Sequence, residues 1–74
     1  MEFEARVEGL RRFTIHGEPY VVLYFSRVET PDAIEQAQLS DDALPAGLAV
    51  GEQVVIFSVL GVVAGVRRPQ DDAR

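Results

Sequence analysis

The side chains that could perform acid–base or nucleophilic chemistry are few in this chain of 74 residues. His16 is the single histidine, and it precedes Gly17, where a tight hairpin turn is predicted. A catalytic triad needs a base that neighbouring groups orient, and a hairpin tip rarely supplies them. Glu2, Glu4 and Glu8 alternate along an extended segment, and acids in that pattern are usually solvated. We therefore expect a protein that is not an enzyme.

The sequence also predicts no metal site and no cofactor. It contains no cysteine, and its one histidine and adjacent acids such as Asp41 and Asp42 lack the spacing of zinc or calcium ligands. Its glycines lie in apolar strand contexts rather than between a strand and a helix, so no phosphate-binding loop is expected.

Arginine and aromatic residues share the first part of the chain, and single-stranded nucleic-acid-binding proteins pair cations with rings on which bases stack. The candidate binding residues are Arg11, Arg12, Arg27 and Tyr24. The charge balance opposes this function, because the formal net charge is -5 and residues 31–60 hold five acids and no base. Nucleic-acid binding is therefore disfavoured and kept as an alternative.

The length predicts one domain over residues 1–68, followed by a disordered tail at 69–74 that has nothing to bury. No secretory signal is visible, because the residues after Met1 are acidic where a signal peptide is basic. The longest uncharged run, 54–66, is shorter than the roughly 20 residues that a membrane helix needs. We expect a cytoplasmic protein that does not bind membranes. All seven basic residues are arginine, as is common in GC-rich genomes.

Residues 2–15 alternate apolar and charged side chains, which predicts a strand with one face toward the core. The alternation breaks beside Gly9, and a glycine at such a break indicates a β-bulge. A two-residue turn at 16–17 without a bulge would place Arg6 opposite Arg27, which is unfavourable. An extra residue near Gly9 removes this repulsion, so we predict a bulged hairpin.

Two later segments are predicted as buried strands, because valine, isoleucine and aromatic residues favour a pleated sheet. Residues 20–28 are apolar at nearly every position, and residues 54–66 contain no charge, with Gly61 marking a turn or bend. Between them, the sequence Thr30-Pro31-Asp32 is typical of a helix start. We predict a short helix or an irregular crossover at about 31–43.

This order of elements resembles the small β-barrels of the OB-fold type. The segment from Leu44 to Val66, LPAGLAVGEQVVIFSVLGVVAGV, is similar to the end of such barrels, where a glycine-containing turn leads into the closing strand. It is also similar to the TOBE ligand-binding domains of transport ATPases. The resemblance implies an all-β fold, a small closed or partly open antiparallel barrel. It further implies binding of single-stranded nucleic acid or of a small anion.

Strands that are apolar on both faces present more apolar surface than one short helix can cover. The excess must be buried by closure of a barrel or against another copy of the chain. We therefore expect a non-enzymatic binding or assembly module. The favoured form is a module that forms a homodimer or binds a protein partner.

Overall fold

The computed structural model describes residues 1–69, which form five antiparallel β-strands and one short 3-10 turn at Asp41–Ala43. The strands are β1 (Glu2–Ile15), β2 (Glu18–Arg27), β3 (Thr30–Ser40), β4 (Gln53–Val59) and β5 (Val62–Arg67). The predicted all-β fold class is confirmed. In this part of the chain no helix has the length and apolar character needed to cross a membrane. The predicted disordered tail lies outside the described residues, apart from Pro69.

The strands form one sheet in the order β3-β2-β1-β4-β5. The long strand β1 makes this possible, because its residues 2–6 pair with β4 while its residues 5–15 pair with β2. The sheet curls until the two edge strands, β3 and β5, approach each other. Among the described residues no strand pairing joins these two edges, so the barrel-like sheet is not closed by hydrogen bonds.

The predicted bulge in β1 is confirmed. The register between β1 and β2 shifts by one residue between Val7 and Gly9, which makes Glu8 the extra residue. Arg6 therefore lies opposite Ser26, and Arg27 lies opposite an alanine, so the two arginines do not oppose each other. The bulge also reverses which β1 side chains face inward beyond this point.

The segment predicted as a short helix or irregular crossover at about 31–43 is mostly strand. Residues 30–40 form β3, so the helix prediction was wrong, and only 41–43 make a helical turn. The outer edge of β2 needs backbone hydrogen-bond partners, and β3 supplies them. Pro31 is tolerated because it lies in an irregular stretch at the start of an edge strand, where its missing N–H interrupts no ladder.

The core lies inside the curled sheet and takes residues from every strand. Its buried members are Ala5, Val7, Leu23, Phe25, Leu39, Leu48, Val54, Ile56 and Val66. The uncharged run 54–66 is thus core only in part. Its side chains alternate between the two faces of the β4–β5 hairpin, and those on the outer face stay exposed.

Candidate interaction surfaces

The β4–β5 hairpin carries exposed apolar side chains on its outer side. Phe57 and Val59 point away from the core, and Val62 pairs with Val59 across the hairpin. Gly65 lies opposite Phe57 and has no side chain to cover the ring. The exposed fractions are 41% for Phe57, 49% for Val59, 68% for Val62 and 98% for Leu60 at the turn. We call Phe57, Val59, Leu60 and Val62 the hairpin patch.

The turn of this hairpin holds Leu60 in a strained backbone conformation. Leu60 has φ 51° and Gly61 has φ 81°, the two positive values that a two-residue type I′ turn requires. Glycine and asparagine adopt positive φ readily, whereas a leucine side chain meets a steric penalty there. The turn therefore keeps an exposed leucine where glycine or asparagine would be more stable.

A cleft of about 670 Å³ opens between β3 and the β4–β5 hairpin, where the sheet is not closed. Phe3 and Phe25 line it, with their ring centroids 6.0 Å apart, and Phe25 is only 2% exposed. Ala37 of β3, Val63 of β5 and Leu60 of the hairpin turn also line it. We call this opening the seam cleft. The lining mixes these apolar side chains with polar and charged ones, which are Arg27, Glu35, Gln36, Gln38 and Ser58.

Arg27 lies in the seam cleft and is held by two partners. Its guanidinium carbon is 3.9 Å from the centroid of the Phe3 ring, a cation–π contact. Arg27 Nε donates to Glu35 Oε2 at 2.8 Å, and Arg27 Nη2 donates to Glu35 Oε1 at 3.4 Å. The hydrogen bonds to Glu35 raise the pKa of Arg27. Arg27 therefore connects the aromatic lining of the cleft to the edge strand β3.

The outer face of the first hairpin carries aromatic rings and one of the predicted nucleic-acid-binding arginines. Tyr24 lies opposite Gly9, whose missing side chain leaves room for the tyrosine ring. Phe13 and Tyr20 are stacked with ring centroids 5.8 Å apart, and the Arg11 guanidinium lies 5.7 Å from the Phe13 ring centroid. The three rings are half-buried, so each keeps part of its surface accessible.

The structure does not bring the four predicted nucleic-acid-binding residues onto one surface. Arg11 and Tyr24 share the outer face described above. Arg12 lies opposite the buried Val21, so its side chain is on the other face, and it donates to Asp41 Oδ1 at 2.6 Å. Arg27 lines the seam cleft. Adjacent residues of a strand point to opposite sides, which separates Arg11 from Arg12.

The bulge aims Glu8 at the only slightly exposed Ser26. Ser26 is 3% exposed, and its hydroxyl donates to Glu8 Oε2 at 2.6 Å. A depression of about 400 Å³ lies beside the pair and is also lined by Arg6 and Gln53. Within the described part of the chain, every buried polar side-chain atom has a hydrogen-bond partner. The Glu8 carboxylate satisfies the Ser26 hydroxyl, which makes this a structural contact.

Glu52 anchors the loop that leads into β4. Arg68 Nε donates to Glu52 Oε1 at 2.8 Å, and the Ala49 backbone N–H donates to Glu52 Oε2 at 2.9 Å. These donors, the arginine first, lower the pKa of Glu52. Arg68 also donates to the Ala46 carbonyl at 2.9 Å. The loop is therefore fixed to the end of β5 by an ion pair.

The remaining candidates for chemistry are isolated. His16 is exposed at the tip of the first hairpin, with φ 51°. Over residues 1–69, no three His, Cys, Asp or Glu side chains lie close enough to hold a metal ion.

No known protein family, curated protein or solved structure matches this chain. Its function has to be inferred from its own surfaces.

Sequence reasoning missed the most exposed apolar residue of the chain segment it identified as core. A signal for it existed, because Leu60-Gly61 stands between two valine-rich strands, as a two-residue hairpin loop does. Read in that way, Leu60 is at the tip, where asparagine or aspartate is usual. A leucine is unusual in that position, and it adds an exposed apolar side chain to the hairpin patch.

Proposed function

We propose that this domain is a non-enzymatic interaction module that assembles with itself or with a protein partner through the hairpin patch. The observation that carries the proposal is the exposure of four neighbouring apolar side chains at one end of the β4–β5 hairpin. Large exposed apolar patches on small domains mark interaction sites. The run 54–66 contains no charge. Glu2, which lies opposite Phe57 on β1, is paired with Arg67 at 2.9 Å.

The size of the domain supports the same proposal. A chain of 74 residues buries only about 60% or slightly more of the surface that it exposes when unfolded. Covering the hairpin patch adds buried apolar area, at about 25 cal/mol for each Å² removed from water. Association is therefore a direct way for such a thin domain to gain stability.

Light scattering over a concentration series, with pull-down of protein partners, tests this function. We expect the mass to rise above that of one 8.2 kDa chain as concentration increases, or a partner to be captured. Phe57→Ser should abolish the association. Val28→Ser is the matched control, because Val28 is also exposed and apolar but is not in the hairpin patch. A strict monomer without a protein partner would reject the proposal.

We also infer that the barrel is of the OB type. The support is topological: OB barrels are five-stranded, partly open Greek-key barrels, and in this chain β3 and β5 approach each other after a long bulged β1. The segment between β3 and β4 differs, since it contains a single 3-10 turn.

A second candidate function is binding of single-stranded nucleic acid on the outer face of the first hairpin. The specific observation is that Phe13, Tyr20 and Tyr24 are half-buried there and that Arg11 lies over one of the rings. Stacking of bases on such rings is worth about 1–3 kcal/mol per base. The acidic net charge opposes this function, so it ranks below association.

Fluorescence anisotropy with labelled oligonucleotides at low salt tests the second candidate. If it is correct, Tyr24→Ala and Arg11→Gln should each weaken a salt-sensitive binding. Arg12→Gln is the control, because Arg12 is on the other face and paired with Asp41. Absence of salt-sensitive binding at micromolar protein would reject this candidate.

A further inference from the structure

We draw no further inference here: the strongest candidate, the seam cleft between β3 and the β4–β5 hairpin, has a lining of mixed polar, charged and apolar side chains, and nothing in the structure shows what covers it.

Discussion

Replacing Leu60 by asparagine is expected to stabilise the folded monomer, which is an unusual outcome for loss of a leucine. The side chain is 98% exposed, so its removal sacrifices almost no buried apolar area. The backbone gains, because asparagine tolerates the positive φ that leucine adopts here at a cost of about 1–2 kcal/mol. Asn-Gly is also a preferred pair for a type I′ hairpin turn.

The magnitude follows from these two terms. Asparagine relieves part of the strain, so we expect a gain of about 0.5–1 kcal/mol in the free energy of unfolding. For a domain of this size, 1 kcal/mol shifts Tm by about 4–8 °C. The expected rise in Tm is therefore about 2–8 °C, measured by circular dichroism at a concentration where the protein is monomeric.

Two matched variants isolate the cause. Leu60→Ala also removes the exposed leucine but retains a Cβ without a side-chain amide, so its stability should stay within about 0.5 kcal/mol of wild type. Val62→Asn introduces the same polar group two residues later, in the extended strand β5, where it should destabilise by up to about 1 kcal/mol. If Leu60→Asn is no more stable than Leu60→Ala, the strain argument is wrong.

Three further predictions concern the core and its polar contacts. Ser26→Ala should lower the free energy of unfolding by about 1.5–3 kcal/mol in urea denaturation, because the Glu8 carboxylate loses its hydrogen-bond donor. Glu8→Gln should cost less, since the amide oxygen still accepts from the Ser26 hydroxyl. Equal losses for the two variants would contradict this. The pKa of Glu52 is lowered in the folded state, so its contribution to stability is complete above the ordinary value of 4.5 and is lost as the pH falls through the lower folded pKa. Wild type should therefore lose more stability than Glu52→Gln between pH 6 and pH 3, and parallel curves would refute the assignment. Phe25→Ala should lower the free energy of unfolding by about 3–5 kcal/mol, because the ring is buried in the core. This is a large share of the total of about 4–11 kcal/mol that a domain of this size has. A variant with an unchanged melting curve would show that this ring is not central to the core.

The first hairpin could be predicted in detail because local signals determine it. The position of Gly9, the turn at 16–17 and the charges of Arg6 and Arg27 together require one extra residue in β1, and the observed register has it. Each of these signals concerns residues that are close in sequence or directly opposite across a short turn. The repulsion between like charges decided between two registers that the apolar pattern alone left open.

The strand β3 could not be predicted in this way because its partner, not its own sequence, decides its conformation. Thr30, Pro31 and Asp32 have the chemistry of a helix start, and Ile34 and Ala37 are spaced as on a helix. The same residues also fit an edge strand, in which Pro31 interrupts no ladder. The backbone N–H and C=O groups on the outer edge of β2 need hydrogen-bond partners, which favours a strand at this position. Local propensity does not include this effect, because it comes from another element.

The seam cleft was also beyond prediction, since it depends on how closely the two edge strands approach after the sheet has curled. Sequence identifies β3 and β5 only as segments, and the gap between them is set by the accumulated twist of every strand pair in between. Leu60 was within reach of sequence reasoning, because a two-residue loop at Leu60-Gly61 places it at a tip. That Leu60 also lines the seam cleft could not be predicted, because the cleft forms only once the sheet has curled.

Arg27 illustrates what residue type alone does not specify about a candidate binding residue. An arginine among aromatic residues suggested nucleic-acid binding, and the structure does place Arg27 against a ring. That ring, Phe3, packs against the core, and Glu35 accepts hydrogen bonds from the guanidinium. A phosphate would have to displace Glu35, and a base could not reach the covered face of Phe3. The same contacts fix one wall of the seam cleft, so the Arg27 side chain is already engaged within the fold.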